Sequence, residues 1–373
     1  MLDPPIHDAG SASGGFHTSL RFNKLLVVRT SAMGDIIHTL PAVSALREVF
    51  PAITIGWVVE ERWAELLCSP TTPRFGPRSP GRPLVDAIHT VNTKAWRHSL
   101  FSPQTWRQIK TSAKNLRAPL YPVAIDFQGA LRSGVLARLS GADAIYGLAS
   151  PRESLAKAFY TRRVPVSGRH IVQQNCSLVE AIIGTVVETP KPQLPRDTIA
   201  EQECERYLKE HRIEKFVLLN PGAGWGAKQW PPERYGEIAN QLAQDGVRCL
   251  INFGPGEERI ARATEAASAG NAHRINLTIT QLVAFTRRAS LFIGGDTGPM
   301  HLAAALGVAV VAVFGPTNPE RNGPFATPSI VLRSPLSPTT HKRVASPDPG
   351  LLTIGTDEVV AAARELLRNS RGQ

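Results

Sequence analysis

The segment GGDTGPMHLAAALG, residues 294–307, predicts a turn followed by a short helix. An apolar run at residues 291–293 precedes it as a buried strand, Pro299 suits the first helical turn, and Gly307 suits the helix end. The N–H groups at such a helix start, together with the positive end of the helix dipole, attract anions. Because the turn residues are small, a phosphate can approach the backbone closely. The segment therefore predicts a diphosphate site at a strand-loop-helix junction.

The same segment also fits an ordinary turn that binds no ligand. In that alternative Asp296 and Thr297 cap the helix, and His301 packs on the side of the helix. A single glycine-rich turn fits both interpretations, and further turns of the same kind favour the diphosphate site.

A second glycine-rich turn, NPGAGWGAKQW, occupies residues 220–230. It follows a predicted strand at residues 216–220 and precedes a helix that begins near Pro232. In an open α/β sheet, ligands gather outside the carboxyl ends of the strands, where both turns would lie. Lys228 would then meet a phosphate; its alternative role is that of a solvated surface lysine.

A third turn, FGPGEE at residues 253–258, ends another predicted strand. A carboxylate at this position suits a pair of ribose hydroxyls, and either Glu257 or Glu258 is a candidate to supply it. The alternative is that these glutamates only favour the positive end of the helix dipole. Both interpretations stay open at the level of the sequence.

In the N-terminal half, the segment RTSAMGD at residues 29–35 leaves a predicted buried strand at residues 25–28. It delivers Asp35 to the start of a helix predicted over residues 34–50, on the side that faces a cleft. Pro41 is expected to break that helix into two pieces. Asp35 is a candidate for reaction chemistry, and its alternative role is that of an N-cap.

Strands and amphipathic helices alternate in both halves of the chain. This alternation predicts an α/β fold with two Rossmann-like domains, whose parallel sheets face each other across a cleft. Further strands are predicted at residues 53–59, 86–91, 122–127 and 247–253, and a helix at residues 60–67. The predicted division is a disordered leader at 1–23, an N-terminal domain at 24–189, a linker at 190–197 and a C-terminal domain at 198–373. The last helix is a candidate to pack back on the N-terminal domain.

The composition is that of a globular protein with ample apolar material for its cores. Of 373 residues, 42% are hydrophobic, and the four cysteines are scattered without the spacing of a disulfide framework or a zinc site. The chain begins without the pattern of a secretory signal. Its most apolar run, residues 303–314, is about half of the roughly 20 residues that a spanning helix needs. We therefore expect a cytoplasmic protein.

The net charge of +11 is concentrated in residues 91–170, which hold thirteen Lys and Arg residues against three Asp and Glu residues. Any single one of these residues fits a solvated basic surface, whereas their concentration indicates an acidic partner such as phosphate, an anionic lipid surface or nucleic acid. The region lacks recognisable nucleic-acid modules and regularly interleaved aromatic residues, so nucleic acid is not expected. A non-catalytic protein that binds anionic membrane or nucleic acid through this face is the alternative to an enzyme.

Four segments together resemble one known family, the lipopolysaccharide heptosyltransferases of glycosyltransferase family 9. The segments are TSAMGDIIHTLPA at residues 30–42, WVVEE at 57–61, NPGAGWGAKQWP at 220–231 and GGDTGPMHLAAALG at 294–307. The first two resemble heptosyltransferase I more than heptosyltransferase II, and the likeness runs from about Lys24 to Leu367. A stretch rich in Pro and Ser, residues 333–350, matches nothing in the family.

The resemblance implies a GT-B architecture, ADP-L-glycero-β-D-manno-heptose as the donor, and a Kdo residue of Kdo-lipid A, in the lipopolysaccharide inner core, as the acceptor. It implies inversion at the anomeric carbon without a required metal or other cofactor. The acceptor places such an enzyme at the inner face of the cytoplasmic membrane, as a peripheral protein. The alternatives in this class are heptosyltransferase II, another family 9 sugar transferase, and an epimerase with the same fold.

The resemblance also implies roles for individual residues. Asp35 is similar to the family's general base, and Lys228 to its phosphate-contacting lysine. The N-terminal domain would bind the acceptor and the C-terminal domain the nucleotide sugar. The expected donor-binding residues are Thr30, Ser31, Ala223, Gly224, Glu257, Asp296, Thr297, Gly298, Pro299, Met300 and His301. The expected acceptor-binding residues are Lys94, Arg97, Arg132, Arg152 and Arg163.

Overall fold

The computed structural model describes residues 22–99, 101–340 and 344–369. The predicted leader at residues 1–23 lies outside the described residues, except for its last two positions.

The N-terminal half is built on six strands, all of which run parallel to their neighbours. They are β1 (Lys24–Val28), β2 (Thr54–Glu60), β3 (Ala87–Val91), β4 (Val123–Asp126), β5 (Ala144–Leu148) and β6 (Arg162–Val164). Their order in the sheet is β3-β2-β1-β4-β5-β6. The central strands β1 and β4 are buried along almost their whole length, which explains their unbroken apolar sequence.

The C-terminal half repeats the same plan with six more parallel strands. They are β7 (Phe216–Asn220), β8 (Arg248–Asn252), β9 (Ala272–Ile275), β10 (Leu291–Gly295), β11 (Val310–Phe314) and β12 (Ser329–Arg333). Their order in the sheet is β12-β11-β10-β7-β8-β9. The first strand of each half therefore pairs with the fourth, β1 with β4 and β7 with β10.

These two pairs mark the points at which the strand order reverses. In sheets of this kind the ligand crevice opens outside the carboxyl ends of the strands at that reversal. In the N-terminal half, the crevice is bordered by the loops after β1 and β4, and in the C-terminal half by the loops after β7 and β10. The predicted pair of Rossmann-like halves with parallel sheets is confirmed.

Helices connect the strands in both halves. In the N-terminal half they are α1 (Met33–Val49), α2 (Thr93–His98), α3 (Pro103–Arg117), α4 (Leu131–Leu139) and α5 (Ile171–Ile183). In the C-terminal half they are α6 (Thr198–Glu210), α7 (Pro232–Gln244), α8 (Glu258–Ala267), α9 (Ile279–Arg288), α10 (Gly298–Ala305), α11 (Pro319–Asn322), α12 (Pro349–Leu352) and α13 (Thr356–Asn369). Short 3-10 helices occupy Glu61–Leu66, Ser154–Phe159 and Gly226–Lys228.

The expectation that Pro41 divides the first helix is wrong, because α1 continues through it. Pro41 has no N–H to donate to the carbonyl of Ile37, which removes one helical hydrogen bond. The helix is nevertheless buried on almost every side, between α5 and α10, and this packing holds it together. Asn175 of α5 also donates its side-chain amide to the carbonyl of His38, at 2.9 Å, within the turn that Pro41 disturbs.

Two other local expectations differ from the structure. The helix expected at residues 60–67 is a 3-10 helix over Glu61–Leu66. The last helix, α13, packs on the C-terminal half, against α7 and strands β10 to β12, and not on the N-terminal half. The reason is its apolar face, on which Val359 and Ala363 are fully buried in a cluster with side chains of the C-terminal sheet.

The two halves pack against each other through a shared apolar core. One cluster of buried side chains includes Leu40 of α1, Phe216 of β7 and Met300 of α10. Helix α1 lies against α10, and the 3-10 helix Glu61–Leu66 lies against α9, where Thr280 donates its backbone N–H to the Glu65 carboxylate at 3.2 Å. The loops on the two sides of the cleft are therefore held in a defined relation.

The segment between α5 and α6 contains the predicted linker at residues 190–197 and forms neither helix nor strand. Its end is tied to the N-terminal half, since the Ser69 hydroxyl donates to the Asp197 carboxylate, which also caps α6 by accepting from Ala200 N–H at 2.8 Å. The four cysteines are buried and free. No helix in the part of the chain that the structure describes is both long and apolar enough to cross a membrane.

Candidate active site

The two loops at the C-terminal reversal point meet through a buried ion pair. Asp296 directly follows β10, and Lys228 ends the short 3-10 helix after β7. The Lys228 Nζ lies 2.5 Å from Asp296 Oδ2, and the two side chains are only 14% and 7% exposed. The same ammonium lies 4.5 Å from the centre of the Trp225 ring, on its face. Lys228 is thus held between an aromatic ring and a carboxylate at the edge of the crevice.

Asp296 has a second partner, because His301 Nε2 lies 3.1 Å from its Oδ1. Burial alone would raise the pKa of Asp296, but the hydrogen bond and charge of His301 and the charge of Lys228 outweigh it and hold the pKa well below its usual range. Asp296 is therefore ionised at neutral pH and can only accept hydrogen bonds. It follows that His301 Nε2 donates to it.

His301 links this ion pair to the N-terminal half. Its Nδ1 lies 3.0 Å from Nε2 of His38, a buried residue of α1. Burial, followed by the proximity of His301 and His170, holds the pKa of His38 well below its usual value, so this imidazole is neutral at physiological pH. A chain of polar contacts thus runs from Lys228 through Asp296 and His301 to His38, across the boundary between the halves.

A cavity of about 320 Å³ opens above these groups, between the two halves. From the N-terminal half it is lined by Ala32, Met33, Gly34 and Trp63. From the C-terminal half it is lined by Asn220, Gly222, Ala223, Gly224, Asn252, Phe253, Gly254, Pro255, Glu257, Leu277, Thr278, Ile279, Leu282, Thr297, Gly298 and Pro299. It contains the glycine-rich turns after β7 and β8 and the start of α10, and so combines backbone N–H groups with apolar walls.

Among the residues that the structure describes, Glu257 is the one charged side chain in this lining. Its Oε2 accepts from the N–H of Gly254 at 2.7 Å, and its carboxylate packs directly against Gly222, where a Cβ atom would overlap it. Glu258 is not part of the lining; its Oε1 accepts from the N–H of Gly256 at 3.3 Å. Of the two candidates for a ribose contact, the structure brings Glu257 to the cavity.

On the opposite side, Asp35 lies in the first turn of α1, next to the lining residues of the N-terminal half. Its Oδ1 lies 2.9 Å from Nη2 of Arg29, and its Oδ2 accepts from the N–H of Ala32 at 3.0 Å. Asp35 is therefore the third residue of the helix and not its N-cap. Its carboxylate accepts from the N–H of the N-cap residue, Ala32. With 44% of its side chain exposed, it remains open to a ligand.

Several expected donor-binding residues do not line the cavity. Thr30 is fully buried, and its hydroxyl donates to Gln128 Oε1 at 2.7 Å, while the Ser31 hydroxyl accepts from Arg132. Met300 lies fully inside the shared apolar core, because its position on α10 turns it away from the cleft. His301 lines a different cavity, of about 230 Å³, together with His38. Lys228 and Asp296 are not in the lining; Thr297 and Gly298, which follow Asp296, are.

Sequence reasoning missed much of the apolar wall and an amide pair. Phe253, Leu277 and Ile279 line the cavity, as do Asn220 and Asn252 at the carboxyl ends of β7 and β8, where the Asn252 amide donates to Asn220 Oδ1 at 2.7 Å. The asparagines carried a usable signal, because polar residues that end two buried strands lie at the same edge of the sheet. The apolar lining residues carried no such signal, because their sequence pattern is the same as that of residues in the protein core.

The structure places four of the five expected acceptor-binding residues after the carboxyl ends of strands, at one edge of the N-terminal sheet. Lys94 and Arg97 follow β3, Arg132 lies in the first turn of α4 after β4, and Arg152 follows β5. All are exposed, and only Arg132 contacts the segment next to Asp35, through Ser31 at 2.8 Å. Arg163 differs, since it lies within the edge strand β6 and not beyond a carboxyl end.

The described residues contain no group of three or more His, Cys, Asp or Glu side chains placed to hold a metal ion. The described polar groups in and around the cavity include the Lys228 ammonium, carboxylates, the amides of Asn220 and Asn252, and backbone N–H groups. This arrangement is suited to a ligand that carries a diphosphate next to a sugar or nucleoside.

Comparison with known proteins supports this interpretation. Residues 109–349 match the family model of glycosyltransferase family 9 (heptosyltransferase), and this match includes all but the last residue of the Pro- and Ser-rich stretch at 333–350, which the sequence analysis left unmatched. The chain is similar to the lipopolysaccharide heptosyltransferase 1 of Pseudomonas aeruginosa, with 31% identity over 86% of each chain. It is also similar to the lipopolysaccharide heptosyltransferase 1 of Escherichia coli, with 29% identity over 84% of this chain and 94% of that one.

Solved structures extend the likeness to the whole fold. The Escherichia coli heptosyltransferase WaaC with ADP has a TM-score of 0.72 and 26% identity, and the match covers 92% of this chain and 99% of that one. A family 9 glycosyltransferase from Veillonella parvula, at 20% identity, has a TM-score of 0.78 over 94% of this chain and 99% of that one. The predicted GT-B architecture is confirmed by these matches.

Proposed function

The chain belongs to glycosyltransferase family 9, the heptosyltransferase family, and from that premise we propose that it transfers L-glycero-D-manno-heptose from ADP-heptose to a Kdo residue of Kdo-lipid A. Membership makes it a glycosyltransferase. The choice of donor and acceptor rests on its relatives, among them two proteins named lipopolysaccharide heptosyltransferase 1 and a WaaC structure with ADP-2-deoxy-2-fluoro heptose.

One observation carries the proposal: the lining of the cavity between the halves includes both a carboxylate and the start of a helix. Glu257 is placed to accept from the ribose hydroxyls of ADP. The first N–H groups of α10, at Thr297 and Gly298, are placed to bind the diphosphate with the help of the helix dipole. The heptose would then extend from the diphosphate toward the N-terminal half, where α1 begins.

The reaction we propose is a single displacement at the anomeric carbon. Asp35 accepts the proton of the Kdo hydroxyl while that oxygen forms the new glycosidic bond, on the face opposite to ADP. The bond between the anomeric carbon and the β-phosphate oxygen breaks, and the configuration inverts. Lys228 and the N–H groups at the start of α10 stabilise the charge that develops on the departing diphosphate, a form of electrostatic preorganisation.

We assign acceptor binding to residues 24–189 and nucleotide-sugar binding to residues 198–373. The candidates for the carboxylates and phosphates of Kdo-lipid A are exposed basic side chains of the N-terminal half, four of them after the carboxyl ends of strands and one within the edge strand β6. Because this acceptor is a membrane lipid, the enzyme would work in the cytoplasm at the inner face of the cytoplasmic membrane. The residues assigned here are Lys94, Arg97, Arg132, Arg152 and Arg163.

The test is a transfer assay with purified protein, ADP-heptose and Kdo-lipid A, read by ADP release and by the mass of the lipid product. We expect ADP release that requires both substrates, adds one heptose to the lipid, and persists in EDTA. No release with either anomer of the donor would overturn the proposal. Transfer to heptosyl-Kdo-lipid A but not to Kdo-lipid A would instead assign the chain to heptosyltransferase II.

A further inference from the structure

His38 and His301 form a hydrogen-bonded pair that crosses from one half of the protein to the other. His38 lies in α1, whose first turn carries Asp35, and His301 lies in α10, whose start borders the cavity. Their nitrogens are 3.0 Å apart, and the ring centres are 4.1 Å apart in an edge arrangement. Each side chain has less than a tenth of its surface exposed. The pair thus joins the helix of the proposed base to the helix of the donor site.

The backbone of α1 is shaped to accept the His301 ring. Gly34 and His38 are four residues apart and so lie on one face of the helix. A Cβ atom at Gly34 would lie 2.5 Å from Cδ2 of His301, so that only glycine leaves room for the ring at this point. His301 is therefore held on one side by packing against Gly34 and on the other by the hydrogen bond to His38.

The partners of His301 define which of its nitrogens carries a proton. Asp296 is an ionised carboxylate, so His301 Nε2 must carry the proton that it donates. His301 Nδ1 then accepts from His38 when His301 is neutral, and donates to His38 when His301 is charged. A neutral imidazole at position 38 satisfies both cases by exchanging its tautomer.

The hydrogen bonds that hold His301 become more important when a donor binds. In the structure, Asp296 is balanced by Lys228 at 2.5 Å and by His301 at 3.1 Å. On the proposed function, Lys228 turns part of its charge to the diphosphate, and His301 becomes the main partner of a buried carboxylate. If His301 could rotate, Asp296 would lose its orientation, and Lys228 would lose its anchor.

We propose that His38 is a positioning residue for the transfer reaction: through its hydrogen bond to His301 it fixes Asp296 and Lys228 in the orientation that binds the diphosphate of the donor. His38 does not contact the substrates, and its effect passes through the neighbouring ring. This inference rests on the proposed function for the identity of the ligand, but the geometry of the histidine pair is independent of it.

The test compares three variants of the full-length protein. His38→Phe keeps an aromatic ring but removes the hydrogen bond, and His38→Gln restores a polar group near the position of Nε2. His89→Phe is the matched control, because His89 is also a buried histidine of the N-terminal half, with one hydrogen bond of 3.0 Å, to the Tyr121 hydroxyl, and no place in this chain of contacts. The measurements are ADP affinity by calorimetry, kcat/KM for heptose transfer, and the ¹⁵N resonances of His301.

We expect His38→Phe to weaken ADP binding and lower kcat/KM by about tenfold each, and His38→Gln to stay within about threefold of the unchanged protein. The Nδ1 resonance of His301 should shift in His38→Phe and not in His89→Phe. Equal effects of His38→Phe and His89→Phe on ADP affinity and kcat/KM, or no rescue by glutamine, would overturn the proposal.

If His38→Phe does not fold, the ADP affinity of His38→Gln and its His301 resonances decide. Values close to those of the unchanged protein support the positioning role, and a tenfold loss contradicts it. If the unchanged protein neither transfers heptose nor binds ADP, the proposed function fails. The His301 resonances then still show whether His38 sets the state of that ring.

Discussion

Asp296 shows how much of this site depends on a single buried charge. The carboxylate is almost fully enclosed, and it stays ionised because Lys228 and His301 both contact it. A buried ion pair contributes little net stability when intact, but loss of one partner leaves the other uncompensated. The pair therefore predicts a large and asymmetric response to mutation.

We expect Lys228→Met to lower the free energy of unfolding by about 3–5 kcal/mol, because it leaves the Asp296 carboxylate buried beside one remaining partner. The double variant Lys228→Met with Asp296→Asn should recover part of this loss. Urea denaturation measures the loss in the single variant and the recovery in the double variant. The control is Glu265→Gln, which breaks the ion pair between Glu265 and Arg274. This pair has the same length of 2.5 Å, but both side chains are about one third exposed. Its loss should lower the free energy of unfolding by less than about 1 kcal/mol. Equal losses in Lys228→Met and Glu265→Gln would contradict this view of Asp296.

Asp35 is the residue on which the proposed chemistry depends. We expect Asp35→Asn to lower kcat by about 10²–10⁴-fold, because an amide cannot accept the proton of the acceptor, while ADP affinity measured by calorimetry changes little. Asp245→Asn is the matched control, since Asp245 is 40% exposed and pairs with Arg364 at 2.7 Å, much as Asp35 pairs with Arg29. A fully active Asp35→Asn variant would reduce Asp35 to a helix cap.

The residue types at the strand ends were predictable, whereas their partners were not. Lys228, Asp296 and Glu257 lie in the loops that follow strands, where the chemistry of an open α/β sheet is expected. Nothing near His38 in the sequence indicates a contact with a ring 263 positions away. The placement of Met300 in the core was also missed. The helix α10 is short and buried on several sides, so its sequence shows no clear polar face that would indicate which side chains point into the core.

At the scale of secondary structure, the buried strands were the most predictable part. The strand at residues 216–220 agrees with β7 at both ends, because a short apolar run between polar residues has one natural register. The unbroken α1 was not predictable, since local chemistry at Pro41 favours a break and only packing with α5 and α10 overrides it. The local rule for proline failed where packing against neighbouring helices decides the outcome.

The close approach of α1 and α10 gives a prediction at this scale. Gly34→Ala would place a Cβ atom 2.5 Å from the His301 ring, and Gly236→Ala in α7 would place one 2.5 Å from the Cβ of Ala267. Both variants should lose about 1–3 kcal/mol of stability through overpacking. Only Gly34→Ala should also lower kcat/KM, by about tenfold or more, because it displaces the helix of the donor site from that of the proposed base. Thermal unfolding and the transfer assay measure the two effects, and an active Gly34→Ala variant would show that this helix contact is not needed for catalysis.

At the scale of the whole molecule, buried histidines make the stability of the fold depend on pH. Burial, offset by a hydrogen bond to the Gly323 carbonyl, lowers the pKa of His170 to about 4, and burial alone does the same for His89. Both residues have a folded-state pKa below the value of about 6.5 expected in the unfolded chain. Between these values the unfolded state binds more protons, so acid favours unfolding.

We therefore expect the free energy of unfolding to fall as the pH drops from about 6.5 to about 4, by about 1.4 kcal/mol per pH unit for each of these histidines. Replacing His89 with Gln should remove one such contribution from the slope. Urea denaturation at a series of pH values measures it. An identical slope in both proteins over this window would show that His89 is not kept neutral by burial.

The central claim is that the cavity between the halves binds the nucleotide diphosphate, and a crystal structure with ADP tests it most directly. We predict that the ribose hydroxyls donate to the Glu257 carboxylate. The diphosphate oxygens should lie within about 3.2 Å of the N–H groups of Thr297 and Gly298 and of Lys228 Nζ. ADP bound in the other cavity, beside His38, or with its diphosphate pointing away from Thr297 and Lys228, would contradict the claim.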